Sequence, residues 1–322
     1  MAGGQTTANS DMLIRAEIWS ADLKETLKDE LEAQKWVDWM TEFPDGTTFT
    51  VPSIGDASVQ TIQEGVAVKY EALDSGEFQF QVTEYIGSAH SMSRKMMHDS
   101  FYAQRVMAAF LPKERRAIME RLEADILKTA GPGSTQGGGQ TASATNAING
   151  VAHRAVATGS GGAVTPEDFS KAKYSLKKAN VPLSNLIAIV DPSVAYGLET
   201  MTNLVNMSNN PQWQGIVTTG LTTGMRFIRN IYGIDVYESN YLANVGAETI
   251  TLSTNSTGTQ NLIFSAEQSV LPIVGCWRQM PKVDAEFNKD LQQEEYVTTA
   301  YYGLKLYRPE NMYCLLSNTD IV

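Results

Sequence analysis

Residues 185–201 read NLIAIVDPSVAYGLETM. Leu186 to Val190 form a five-residue aliphatic run, and Asp191-Pro192 ends it. A run this short, apolar on both faces, is a strand buried from both sides, the kind found in the sheet of an α/β unit. The Asp191 carboxylate can cap a helix, and Pro192 suits the first helical position, so a helix is expected to about Met201. Upstream, Thr165-Pro166-Glu167-Asp168 repeats that start signal, with Thr165 as cap and a helix to about Ala179. Downstream, a polar, Asn-rich stretch from Asn203 to Gly215 leads to strands expected at Ile231–Glu238, within IYGIDVYESNYL (231–242), and at Glu248–Ser253. Residues 164–275 therefore read as an α/β domain.

Outward from this centre the pattern changes. Residues 131–163 hold nine glycines, no aromatic residue and one charge, Arg154, and read as a long flexible loop. Its GPGSTQGGG string follows a helix and lacks a closing Gly-Lys-Ser/Thr, so it is a poor phosphate cradle. Before it, Met96, Met97, Phe101 and Met107, then Ile118, Leu122 and Ile126, give helical periodicity over about 91–130, with Pro112 inside as a kink or a second start. From Asp45 to Ala89 strand alternation dominates: Phe49 and Val51, Val66 and Val68, then Phe78, Phe80 and Val82. Hairpins this polar cannot bury a core of their own, so the segment must lie on something else. An N-terminal helix is expected from Ser20 to about Met40, ending in Trp36, Trp39 and Met40. The last quarter returns to strands at Met280–Phe287, Glu295–Leu306 and Met312–Leu316, with a turn at Arg308-Pro309-Glu310-Asn311.

The chain has 322 residues, 25 Lys plus Arg against 36 Asp plus Glu, and a formal charge of −11. Wholesale adhesion to nucleic acid or anionic lipid is disfavoured by that balance. No apolar run approaches the roughly 20 residues of a spanning helix, and no basic n-region with an apolar stretch marks a secretory signal. Cys276 and Cys314 are too few for a disulfide framework and are expected to be free thiols in packing roles. The three histidines, His90, His98 and His153, have no zinc-ligand spacing. His98-Asp99-Ser100 has the residue types of a hydrolase triad, but neighbours on a helix point in different directions. There is no nucleophile elbow and no dinucleotide fingerprint. No catalytic residue, metal or cofactor is expected.

The order of the pieces says more than any motif. Val190-Asp191-Pro192, the segment Gly233 to Asn240, and Tyr302-Gly303 with Arg308-Pro309-Glu310 follow one another as in the major capsid proteins of tailed bacteriophages. From about Ile18 to Leu316 the chain resembles that family, the Hong Kong-97 capsid fold. The resemblance implies an α+β protein with an N-terminal arm (1–44), an extended β-arm or E-loop (45–89), a peripheral domain with a long spine helix (90–130 and 276–322), a Gly-rich loop (131–163) and an α/β axial domain (164–275). It further implies self-assembly as hexamers and pentamers into an icosahedral head that encloses double-stranded DNA without sequence-specific binding and without a membrane. The place implied is the virion capsid, assembled in the host cytoplasm.

Only a short stretch precedes the first expected helix, so a separate scaffolding protein is expected, with a portal and decoration proteins as further partners. Candidate intersubunit residues are Trp36, Trp39 and Met40 in the N-terminal arm, Asp56, Glu64, Lys69, Glu71 and Phe78 on the β-arm, and Arg308 and Glu310 at the closing turn. Lys69 has no local match to the residues that some members cross-link. Two alternatives are an encapsulin-type nanocompartment shell, whose cargo is protein, and an enzyme with an unrecognised α/β site in 165–275.

Overall fold

In the computed structural model, residues 31–40, 48–54, 59–62, 64, 65, 67, 75–95, 103–131, 147, 148, 150–201, 227–244 and 258–318 are described. Their strands and helices follow in chain order. β1 (Val37–Met40), β2 (Thr48–Ile54), β3 (Ser75–Gln81) and β4 (Glu84–Ser93) precede the 26-residue helix α1 (Ala103–Lys128). Three short strands come next, β5 (Ala147–Ile148), β6 (Val151–Ala152) and β7 (Arg154–Val156). Then α2 (Pro166–Lys178), β8 (Leu186–Val190), α3 (Pro192–Thr200), β9 (Phe227–Ile231) and β10 (Ile234–Glu238) build the α/β centre. β11 (Gly258–Ser265), β12 (Ile273–Asn288), β13 (Gln293–Leu306) and β14 (Met312–Asn318) complete the chain.

Two sheets organise these elements. A six-stranded sheet, ordered β7-β14-β11-β8-β10-β9, carries the axial part, and a four-stranded sheet, ordered β1-β12-β13-β4, the peripheral part. β8 is buried along its whole length and runs parallel to β10, as the aliphatic run requires. The helix starts read from sequence are present. The Thr165 N–H donates to Asp168 Oδ2 at 2.9 Å, and the Ser193 N–H donates to Asp191 Oδ2 at 3.0 Å. Helices α2 and α3 cover one face of the axial sheet through Phe169, Leu176, Val194 and Leu198, packed on Val190, Val236, Ile263 and Tyr313. The other face meets α1. There Leu122, Ile126 and Leu127 join Ile187, Phe264 and Met312 of the axial sheet and Leu304 and Leu306 of the peripheral sheet in one continuous core.

Five expectations are corrected. The N-terminal helix does not reach Met40: Ala33–Trp36 is a short 3-10 turn, and Val37–Met40 pairs in parallel with Ile273–Cys276. An open sheet edge supplies backbone partners that outweigh the local helical periodicity. The segment expected at Ile231–Glu238 is two antiparallel strands, folded at Tyr232-Gly233, where both residues have positive φ (52° and 83°). The Gly-rich segment is built into the sheet from Arg154 to Val156, paired in parallel with Cys314–Leu316, and His153 and Arg154 are fully buried. Here too an edge strand offers hydrogen bonds that composition alone does not reveal.

The fourth correction concerns β4. Residues 84–93 are neither arm nor helix but pair with β13, and α1 runs on through Pro112. The fifth is β14, which belongs with β11 in the axial sheet rather than the peripheral one. The expected His98-Asp99-Ser100, Asn203–Gly215, Glu248–Ser253 and Val66/Val68 features lie outside the described residues.

Candidate assembly surfaces

The β2–β3 hairpin pairs Thr48 with Gln81 through to Ile54 with Ser75, seven residues on each strand and roughly 23 Å long at 3.3 Å per residue. Among the described residues these two strands pair only with each other. The hairpin is pinned at its root. Phe80 and Val82 are buried with Cys276, the Lys305 ammonium donates to the Gln79 carbonyl at 2.6 Å, and the Tyr301 hydroxyl donates to the Val82 carbonyl at 3.0 Å. Gly303 makes that root possible. A Cβ at this position would sit 2.7 Å from the Gln81 carbonyl oxygen and 2.9 Å from Val82 Cα, both backbone atoms. A two-stranded hairpin pinned at its root has the form of an arm.

The N-terminal arm docks on the other edge of the same sheet. Trp36 is closed into the chain's own core, its ring 5.5 Å from Tyr237 and 6.2 Å from Phe264. Trp36 is 9% exposed, so within this chain its ring serves to dock the N-terminal segment on the core. Trp39 stacks on Trp277 at 5.3 Å and donates its indole N–H to the Gln34 carbonyl, yet like Met40 it is only half-buried. The turn at Ala33 is held by Glu123 of α1, whose carboxylate accepts the Ala33 N–H at 2.9 Å and the Glu32 N–H at 3.2 Å. Glu123 has no exposed surface, and burial outweighs those donors, pushing its pKa up to about 7. The carboxyl stands beside the apolar stripe of Leu122 and Ile126, the one sign in the sequence that it could be buried.

The remaining candidates are dispersed. Glu64 is exposed in a turn, and Phe78 is paired with Val51 in the hairpin register, while Asp56, Lys69 and Glu71 lie outside the described residues. Arg308 donates to the Ser269 carbonyl at 3.0 Å and lies over the Tyr307 ring, and Glu310 sits half-buried in the 3-10 turn Pro309–Asn311. Of the described candidates, Glu64 and Phe78 lie in the β-arm segment and Arg308 and Glu310 at the closing turn.

Sequence reasoning missed several internal ties. The His90 imidazole meets the buried Glu114 carboxylate at 3.1 Å, and the Thr298 hydroxyl donates to the same carboxylate, joining β4, β13 and α1. The Tyr302 hydroxyl donates to Asp125 at 2.7 Å; burial and that bond raise its pKa. Both ties rest on residues spaced far apart in the sequence, so no local signal marks them. Burial lowers the pKa of His153, and burial raises that of Cys276. Cys276 and Cys314 are buried free thiols. Among the described residues no group of three His, Cys, Asp or Glu side chains could hold a metal ion. A cleft of about 270 Å³ beside α3, lined by Ser160, Ser193, Tyr196, Thr200 and Asn318 among others, contains no charged side chain. It offers hydrogen bonds but no acid or base.

An arm fixed at its root and a long helix packed against two sheets are the main features of these surfaces. Residues 76–315 match the family described as phage capsid protein, and the chain belongs to that family. No curated protein matches it. The fold is similar to the solved structure of Mycobacterium phage Che8, at 16% identity and TM-score 0.65 over 94% of this chain and 97% of that one. It is similar also to the capsid of cyanophage P-SCSP1u, at 15% identity and TM-score 0.69 over 97% and 94%, and to that of Ralstonia phage GP4, at 10% and 0.67 over 99% and 99%. Those likenesses speak for the fold, the Hong Kong-97-like capsid fold expected from the order of the motifs. The chain is a structural protein of the virion capsid.

Proposed function

We propose that this capsid protein is the shell-forming subunit of an icosahedral head, closing as hexamers and pentamers around double-stranded DNA. The observation that carries this reading is the β2–β3 arm, whose strands pair only with each other among the described residues and which is pinned at residues 79–82. A two-stranded ribbon is marginal alone in water, so its stability has to come from a surface it lies on, which in a symmetric assembly is the next copy. Many weak arm contacts around a closed shell add up by multivalency while each remains reversible during assembly. Trp39, Met40, Asp56, Glu64, Lys69, Glu71, Phe78, Arg308 and Glu310 are the residues assigned to contacts between copies. A separate scaffolding protein and a portal complete the assembly, which takes place in the host cytoplasm, and decoration proteins can join the finished shell. No cofactor and no catalytic step is required.

The test compares the full chain, co-expressed with its scaffolding partner, with a variant whose residues 49–80 are replaced by a short Gly-Ser link. Sedimentation and electron microscopy should show closed shells for the first and only unassembled subunits or small oligomers for the second. A full chain that stays monomeric, or an armless variant that closes shells of normal size, overturns the reading.

A further inference from the structure

Helix α2 carries four lysines, Lys171, Lys173, Lys177 and Lys178, in a chain with a formal charge of −11. At 3.6 residues per turn, Lys171, Tyr174, Lys177 and Lys178 share the face opposite the buried Phe169, Ala172 and Leu176, and all four are exposed. The one carboxylate on that outer face is Glu167, in the first turn. Lys173 points to the side, where its ammonium donates to the Tyr232 carbonyl at 3.0 Å and docks the β9–β10 turn beside the helix. Tyr174 is 58% exposed and Tyr232 is 59% exposed, so two aromatic rings flank the lysines.

Tyr232 is held at φ 52° ahead of Gly233 at φ 83°, positions where Asn-Gly is the favoured pair of a tight hairpin. A tyrosine there is strained by about 1 kcal/mol, and its exposed ring recovers none of it within the chain. Neither α2 nor this turn is needed for the arm or for the core that joins the two sheets.

We propose that this face, Lys171, Lys173 and Lys177 with Tyr174 and Tyr232, binds the phosphate backbone of double-stranded DNA without reading its sequence. The proposal rests on the reading of the chain as a DNA-enclosing shell subunit. Charge complementarity favours this occupant over a protein. Lysine is depleted from protein–protein interfaces, where arginine and buried aromatics carry the energy, whereas lysine rows with interleaved aromatic rings suit a polyanion. Lys173 and Lys177 are about one helical turn apart, about 6 Å along the axis. Compact, flexible ammonium groups neutralise phosphates without fixing a register. Such a contact is local and weak, so the rest of the acidic surface still lets the duplex move.

The probe is a mixed-sequence 30-base-pair duplex titrated with the unassembled full-length chain at several salt concentrations. Three lysine–phosphate contacts predict a slope of log K against log salt near −2.7, about a 40-fold weakening from 50 to 200 mM salt. Lys171→Gln with Lys177→Gln should reduce the slope to about −0.9, and Lys171→Arg with Lys177→Arg should keep it. The same variants are imaged for shell formation. Normal shells with the reduced slope support the proposal. A slope unchanged by the glutamine pair overturns it. Unchanged duplex binding with failed shell closure also overturns it and makes the face a contact between copies. A wild-type chain that binds the duplex through these lysines but never forms shells supports the DNA contact and refutes the shell reading instead.

Discussion

Replacing Glu123 with glutamine isolates the tie between the N-terminal arm and the spine helix. The glutamine Oε1 can keep the Ala33 and Glu32 N–H bonds that Glu123 Oε1 accepts at 2.9 and 3.2 Å, while the Ala33 contact to Oε2 at 3.0 Å is lost together with the charge. In the folded chain the carboxyl's pKa rises from 4.5 to about 7, because burial disfavours the charged form and Glu32, paired to Lys35 at 3.0 Å, adds a like charge. The raised value fixes the sign. The stabilising contribution is complete below about pH 4.5 and is lost as pH rises through about 7. Above that, keeping the carboxylate buried costs about 3 kcal/mol at 1.36 kcal/mol per pKa unit.

Urea unfolding of the unassembled chain at pH 5 and pH 8, with hydrogen exchange at the Ala33 amide, reads this cost. The wild type should lose about 2.5 kcal/mol more than Glu123→Gln between those two pH values. Glu123→Ala should be less stable at both, by about 2–5 kcal/mol, because two buried N–H groups lose their acceptor and a cavity remains. Parallel pH dependences for wild type and Glu123→Gln would refute the reasoning.

Gly303→Ala should force the arm's root off the sheet, since the new methyl meets backbone at 2.7 Å; a cost of about 1–3 kcal/mol and faster proteolysis within residues 48–81 are expected. Tyr302→Phe removes the hydroxyl that donates to Asp125 and leaves Arg121 Nε, at 3.1 Å, as that carboxylate's donor, so a loss of about 0.5–1.5 kcal/mol in thermal or urea unfolding is expected. Truncation before residue 31 should leave a folded chain, whereas truncation after residue 40 removes Trp36 and β1 from the central core and should cost more than 3 kcal/mol; circular dichroism melting compares the two.

What could be read from the sequence was whatever local patterning controls. The aliphatic run at Leu186–Val190, the cap-and-proline starts at Thr165 and Asp191, and the alternation around Phe49 and Phe80 each set an element by themselves. The misreadings share a cause. Val37–Met40, Arg154–Val156 and Met312–Asn318 take their conformation or their sheet from an edge supplied by residues far away in the chain. Composition made 131–163 look like a loop throughout, because a three-residue strand lacks the length to show a period. Trp36 and Trp39 illustrate the limit for the candidate surfaces. Both were legible as large apolar groups needing a partner, but only the fold shows that Trp36 finds it in Tyr237 and Phe264 while Trp39 keeps an open side.

The central claim is that the β2–β3 arm takes its stability from a neighbouring copy. A cryo-electron microscopy map of assembled particles, at a resolution that traces strands, tests it most directly. The account predicts a closed symmetric shell in which the hairpin of residues 48–54 and 75–81 leaves its own subunit at Val82 and lies across an adjacent one. A map in which that hairpin folds back onto its own subunit, touching no neighbour, would contradict it.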